Sequence, residues 1–419
     1  MRTDTTILAQ LDRQFQWMHA YRRRLLCELT LTLVRKGRGW RTALGRDLES
    51  ATCAKHRIKR VDRFVGNPRL HAELPRMYQS LCRTVIRTPR PVVLVDWTVV
   101  TLTHWALVAS IPCKGRAQII YQQVHPKKCV ATPKVQRRFL EALSHILPPD
   151  CTPIVIADAG FMGPWFAQIR KLGWDFVGRL ASNVRLQQPN KTQCKVSQLH
   201  PRRCEEPQHL GLCAVTKQHP YEASVVVVRQ RNKGISHRRG LHSGAGYKSI
   251  FHYRYKRRAR TAWVLVTSLH ERNASDIVAL YKSRMQCEES FRDAKNIKLG
   301  LGLSHTRSRH PQRIEVLCLL AALAGFVATV LGLMADQQQI HPRLQANTVK
   351  HRRVFSLPIL GAMAFRLRLL SSITAHAESG LKRSSVFLSP SRPLDLWGSV
   401  RHGKVLGTEA LDYGKGHWA

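Results

Sequence analysis

The sequence is short of negative charge. Its 419 residues hold 26 Asp and Glu against 68 Lys and Arg, a formal net charge of +42. With a pI near 10.9 and no low-complexity tails, that deficit points to a polyanionic partner. Nucleic acid comes first and an anionic membrane surface second. Paired cysteine motifs are missing too. The eleven cysteines are an odd number, scattered from Cys27 to Cys318, with no CxxC pair. This excludes a disulfide framework and fits reduced thiols in a cytoplasm. Cys194, Cys204 and Cys213, with His200 and His209 between them, lack the spacing of a zinc finger or ribbon. The opening Met1-Arg-Thr-Asp-Thr-Thr is not a signal peptide. Long apolar runs are reduced to one, the 20 residues from Val316 to Ala335, bracketed by Glu315 and Asp336. It is long enough to cross a bilayer. Its Ala and Gly content suits a helix buried in a large core instead, and with no second span no membrane partner is expected.

What is present is enough chain for two or three domains. Residues 1–90 read as helical and hold 20 Lys and Arg against 7 Asp and Glu. Within them, a short helix from Arg41, a turn near Ser50 and a basic helix ending at Gly66-Asn67-Pro68 have the layout of a helix-turn-helix DNA reader. From Pro91 the texture changes. Pro91-Val-Val-Leu-Val-Asp96 is a buried strand ending in a carboxylate. Strands over 102–112 and 117–125, a helix over 132–147, and the strand Thr152-Pro-Ile-Val-Ile-Ala-Asp158 follow. A helix over 163–172 and a strand over 175–180 complete the run. Three hairpin-connected strands, then helix, strand, helix, strand, are the mixed-sheet pattern of a ribonuclease-H-like α/β fold. Only five carboxylates lie between Arg90 and Ala181, and two of them, Asp96 and Asp158, end the two most apolar strands. Such groups either cap loops or hold a cation, because burying a bare carboxylate is costly.

Residues 181–269 read as a β-strand insertion, with β-like stretches at Val225–Val228, Ser249–Tyr255 and Ala262–Thr267 and a basic cluster at Lys256–Arg260. The α/β core resumes over 270–340. Its helix opens at Asn273-Ala-Ser275-Asp276 with Ser275 as the expected N-cap, and no Pro or Gly follows before Gly300. At about 100° per residue, Tyr281, Arg284, Glu288 and Lys295 fall within an arc of roughly 60°. Glu289 and Asp293 point elsewhere. That stripe is either a wet i,i+4 salt-bridge ladder or one side of an anion-handling site. Residues 341–419 form a basic C-terminal region, helical over 355–370 and loosely ordered beyond Ser384. Two strand-end Asp and a helical Glu in a basic chain suit hard divalent cations such as Mg²⁺ or Mn²⁺, two of which can serve phosphoryl transfer.

The spacing Tyr281, Arg284, Glu288, Lys295 resembles the Y-(2)-R-(3)-E-(6)-K signature of DDE transposases in bacterial insertion-sequence family four. The run Arg284–Lys295 is similar to the branch of the tetracycline-resistance transposon. Val95-Asp96-Trp97, Asp158-Ala-Gly-Phe161 and Ala262-Trp263-Val-Leu-Val-Thr267 resemble other blocks of that branch, and the likeness spans roughly residues 1–340. It implies that Asp96, Asp158 and Glu288 bind two Mg²⁺ ions, with Mn²⁺ as substitute. It implies that Tyr281, Arg284 and Lys295 grip phosphates of the transposon end, and that Trp263 stacks on a flipped base while a DNA hairpin forms. Otherwise Trp263 is a core residue of the insertion. The implied protein is a cut-and-paste transposase of the bacterial nucleoid, a homodimer on double-stranded DNA. A related metal nuclease and an inactive end-binding copy are the alternatives.

Overall fold

The computed structural model describes residues 3–199, 206–216, 221–229, 262–298, 300–346, 348–349 and 352–370. The expected strand at 249–255, the cluster at 256–260 and the tail beyond 384 lie outside the described residues.

The chain begins with five helices: α1 (Thr3–Gln14), α2 (Ala20–Lys36), α3 (Arg41–Asp47), α4 (Ala54–Val65) and α5 (Pro68–Val85). Their ends follow local chemistry. Asn67 accepts hydrogen bonds from the Arg69 and Leu70 amides, with Pro68 at the first helical position, where its missing N–H costs nothing. Helices α3 and α4 pack so closely that a side chain on Gly45 would overlap the backbone of Ile58. On α4, Val61, Phe64 and Val65 are buried, while Lys55, His56, Lys59 and Arg63 are exposed. The exposed residues are spaced to share one basic face.

A mixed sheet follows. Strands β1 (Val92–Val99), β2 (His104–Cys113) and β3 (Arg116–Pro126) are joined by hairpins. Then come α6 (Pro133–Ile146), β4 (Ile154–Ala157), α7 (Gly163–Lys171) and β5 (Asp175–Arg179). Strands β1, β4 and β5 are parallel neighbours, and β2 and β3 run antiparallel beside β1. This is the ribonuclease-H-like arrangement expected from the element order. The strands are buried on both faces, which is why they read as near-continuous apolar runs. One face packs Val93, Val95, Val155 and Phe176 against the helical layer. The other packs Leu94, Ile156, Val177 and Leu265 against residues 277–291.

Among the described residues, the 181–269 stretch does not form a separate layer. Strands β6 (Arg185–Gln187), β7 (Gln193–Lys195), β8 (Gln208–Val215), β9 (Tyr221–Val228) and β10 (Trp263–Thr267) continue the same sheet. Its order is β3-β2-β1-β4-β5-β10-β9-β8-β6-β7. Strand β10 pairs antiparallel with β5 on one side and β9 on the other, so Trp263 is carried on a strand of the main sheet.

The apolar run forms α10 (Pro311–Gln337), preceded by α8 (Ala274–Lys282) and α9 (Met285–Lys295) and followed by α11 (Leu357–Arg366). Its most apolar window is 83% buried inside the fold, as a core helix requires. Side chains on Gly332 and Gly361 would overlap the facing backbone of α11 and α10 respectively, so the two glycines set the closeness of that crossing. Helix α10 also covers the sheet edge at β3. Glu315 Oε1 accepts the Val124 amide at 2.9 Å, and Gln118 Nε2 donates to the Ala322 carbonyl at 3.2 Å. The exposed backbone that invites edge pairing is thereby covered. The last expected helix, 355–370, is shorter, ending at Arg366; Arg368 beyond it has φ of +56°.

Candidate active site

Asp96 and Asp158 stand side by side because of the register. Val95 on β1 pairs with Ala157 on parallel β4, which places the next residue of each strand at one level. Asp158 lies just past the end of β4, and its Oδ1 accepts the Gly160 amide at 2.8 Å. Asp96 does not end its strand as expected: β1 runs on to Val99, and Asp96 sits opposite Val108 of β2. The backbone here continues into the hairpin, so Asp96 is walled in on the β2 side and its side chain is only 14% exposed.

The helix bearing Glu288 differs from the single helix expected. Its N-cap is Asn273, whose side chain accepts the Asp276 amide at 2.8 Å, so Ser275 is already inside the first turn. The helix is also interrupted at Ser283–Arg284. Both residues keep helical dihedrals. However, the amides of Ser283, Arg284, Gln286 and Cys287 bond three residues back, to Leu280, Tyr281, Ser283 and Arg284. That is a 3₁₀ tightening between α8 and α9. Neither Gly nor Pro marks it, so residue types alone did not reveal it.

The tightening places Arg284 between two carboxylates. Its Nη1 lies 2.8 Å from Asp96 Oδ2 and its Nη2 lies 2.5 Å from Glu288 Oε1. The Trp97 amide donates to Asp96 Oδ1 at 2.8 Å. Burial pushes the Asp96 carboxyl up to about 6, opposed by Arg284 and by the Trp97 amide and reinforced by the Asp158 and Glu288 charges. All three carboxylates therefore feel one another at Asp96. Lys295 belongs to the same field: burial lowers its pKa and the Asp96 charge partly restores it.

Tyr281 is 4% exposed, and burial raises its pKa, with Arg284 and Arg179 opposing. Trp263 meets Tyr281 edge-on at 5.1 Å between ring centroids. The Arg179 guanidinium lies 6.0 Å from the Trp263 ring. Sequence reasoning passed over Arg179 and Cys287. Arg179 is the charged end of a short apolar strand, and that was the available signal. Cys287, whose Sγ is 3.8 Å from Asp96 Oδ2, is an apolar neighbour of the charged stripe and carries no signal of its own.

Donor chemistry fits a hard divalent cation: three carboxylates, two of them already sharing one organic cation. The present spacing is a separate matter. With Arg284 between Asp96 and Glu288, the described residues contain no group of three His, Cys, Asp or Glu close enough to hold an ion. The site is a cation-demanding cluster whose cation is currently a guanidinium.

Residues 87–324 match the family model of the transposase DDE domain. That is more than half of the 419-residue chain, and the chain belongs to this family, one of DNA-cleaving and strand-transferring enzymes. Asp96, Asp158 and Glu288 all fall within the matched segment. The chain is also similar to a piggyBac transposase from a cryo-EM synaptic complex with hairpin DNA. The identity there is 10% and the TM-score 0.40, over 92% of this chain and 83% of that one. No curated protein matches the chain.

Proposed function

We propose that this protein is a cut-and-paste transposase of insertion-sequence family four, acting on the ends of its own element in the bacterial nucleoid. What supports the reading is that Asp96 and Asp158 follow paired residues of two parallel strands while Arg284 joins Asp96 to Glu288 of a later helix. Asp96, Asp158 and Glu288 would hold two Mg²⁺, or Mn²⁺ in its place. Bound there, the ions supply charge stabilisation for the attacking and leaving oxygens of phosphoryl transfer. The remaining residues bind and orient DNA. Arg284 and Lys295 supply cations for the phosphates beside the scissile bond. Tyr281, expected to grip a phosphate as well, is only 4% exposed, and in this reading it braces Arg284 and Trp263 instead. Trp263, half-buried at the start of β10, offers a face on which an unstacked base can rest.

The reaction sequence in this reading has four displacements at phosphorus. Water cleaves one strand at the element's end and frees a 3′-hydroxyl. That hydroxyl attacks the opposite strand, leaving a hairpin on the element. Water opens the hairpin, and the same hydroxyl then joins target DNA. The net charge of +42 and the exposed Lys55, His56, Lys59 and Arg63 on α4 support duplex DNA as partner. A homodimer on two paired ends would follow. The deep burial of α10 supports a protein that needs no membrane.

The test is incubation of purified protein and Mg²⁺ with duplex carrying the inverted repeats that flank the gene, plus a target plasmid. Nicks bearing 3′-hydroxyls, hairpin ends and joined products are expected. Hydrolysis that never yields a joined product would mark the protein as a nuclease instead. Unchanged cleavage by Glu288→Ala would remove Glu288 from the site.

A further inference from the structure

Arg284 holds the place where the carboxylates of the proposed site need a cation. We propose that it is a resident counter-ion that DNA displaces. Engagement of a backbone phosphate would draw the guanidinium off Asp96 and Glu288 and so open these groups to divalent metal, which couples metal loading to DNA engagement. The inference rests on the transposase reading of the site and deepens it.

Four observations converge on this role. First, the guanidinium joins carboxylates from different elements, Asp96 of β1 at 2.8 Å and Glu288 of α9 at 2.5 Å. A surface i,i+4 ladder would have used Glu288 alone. An arginine so placed cannot give up its proton to make room; it has to move. Second, it has somewhere to move from. Arg284 sits at the 3₁₀ tightening between α8 and α9, where the amides of Ser283, Arg284, Gln286 and Cys287 bond three residues back instead of four. A mid-helix 3₁₀ stretch often marks a hinge. Third, its Nε is buried and makes no hydrogen bond to the described residues, leaving an unused donor in a side chain that binds phosphate in a two-pronged fork. A buried polar atom left without a partner calls for a reason, and a ligand still to arrive supplies one. Fourth, the approach is open on one side. Glu288 is 40% exposed where Asp96 is 14% exposed, so a phosphate reaches the guanidinium from the Glu288 side.

The experiment measures Mn²⁺ binding by electron paramagnetic resonance of the free ion. It uses full-length wild type, Arg284→Gln, Glu288→Gln and the double variant, with and without duplex carrying the flanking repeat, after subtracting binding by DNA alone. Wild type without DNA should bind Mn²⁺ weakly. Arg284→Gln without DNA should bind about tenfold tighter or more, the usual scale for partners that bias a ligand set. The double variant should lose that gain. Wild type should gain comparably when DNA is added, and Arg284→Gln should gain little further. If Arg284→Gln binds no tighter than wild type while Glu288→Gln weakens wild-type binding, the latch is overturned and the metal site stands. If Glu288→Gln changes Mn²⁺ binding in no background, the metal site of the transposase reading falls, and the latch with it. If Arg284→Gln does not fold, the wild-type arm decides alone: absence of a DNA-induced gain overturns the proposal.

Discussion

Helix α9 carries two arginine–carboxylate clusters of the same make-up on two of its faces. On one, Arg284 joins Asp96 and Glu288. On the other, Arg116 at the start of β3 joins Asp293 at 2.7 Å and Glu289 at 3.8 Å. Each has one arginine and two acids, yet they do different work. The Arg116 cluster is surrounded by further ties that fix position. Gln286 Oε1 accepts the Cys113 and Gly115 amides at 3.0 and 3.2 Å, Ser290 Oγ accepts the Ala117 amide at 2.7 Å, and Ser356 Oγ reaches Asp293 at 3.2 Å. The Arg284 cluster instead faces a third carboxylate, Asp158, across parallel strands. One face clamps the helix along the hairpin. The other gathers charges from β1 and α9 around one guanidinium. Composition does not separate the two; the register of β1 against β4 does.

The sharpest way to break the comparison is to make the same substitution on both faces. Glu288→Gln should lower cleavage of repeat-bearing duplex by about 10³-fold or more, since ion-mediated charge stabilisation contributes several kcal/mol to such a barrier. Glu289→Gln, one residue on, should leave the rate within about twofold, because its loss touches only a partly exposed ion pair. Equal losses in single-turnover assays would mean that the face was misassigned.

Next in size is a pH effect confined to the Arg284 face. The folded-state pKa of Asp96, about 6, lies above its ordinary 3.8. The folded protein therefore holds this proton more tightly than the unfolded chain. The resulting stability is fully present below pH 3.8 and is lost as pH rises through 6. A shift of this size corresponds to about 3 kcal/mol across that window. Urea unfolding in EDTA at pH 4 and pH 6.5 should show wild type losing stability relative to Asp96→Asn as pH rises. Parallel curves for the two proteins would contradict it. Cleavage should fall as pH drops through the same window, because protonated Asp96 is a poor ligand for a cation.

These two faces also show what the sequence makes legible. Asp96, Asp158 and Glu288 stood out because acids are scarce between residues 90 and 181 and because period and spacing put a lone Glu in a cationic stripe. The mixed sheet followed from hairpins succeeded by helical crossovers. The 3₁₀ tightening at Ser283–Arg284 was not legible, since no Gly or Pro encodes it. Nor was the continuation of β1 past Asp96, because Thr98 and Val99 look alike as strand or loop. Joining of the 181–269 strands to the main sheet depends on β10 pairing with β5, Leu265 with Arg179 through Thr267 with Val177, a contact distant in sequence that local pattern cannot announce. Ser275 as N-cap failed for a smaller reason: Asn273 is an equally good cap and comes first.

On the clamping face, Arg116→Ala should lower stability by about 1–2 kcal/mol. Its partners are partly buried, Asp293 at 18% and Glu289 at 29% exposed, so the loss exceeds that of a surface pair and stays below that of a fully buried one. Below the melting transition the variant should still cleave, at a rate far above that of Glu288→Gln. A cleavage defect as large as that of Glu288→Gln, in a protein that stays folded, would place Arg116 in the chemistry and dissolve the distinction between the faces.

The smallest expected effect refines the clamp. Gln286 uses one carbonyl oxygen for two turn amides, so Gln286→Ala leaves two donors to water. The Gly115 amide is at an exposed position while that of Cys113 is part-buried, which limits the cost to about 1 kcal/mol. Gln286→Glu keeps an acceptor at the same reach and adds charge that Arg116 nearby can answer, so it should restore most of the lost stability. If Gln286→Ala also slows cleavage and Gln286→Glu restores the rate along with stability, the turn sets the placement of Glu288. If stability alone responds, the clamp holds the helix without tuning the site. Hydrogen exchange of the Cys113 and Ala117 amides separates the two outcomes, since only a helix that slides along the hairpin exposes both together.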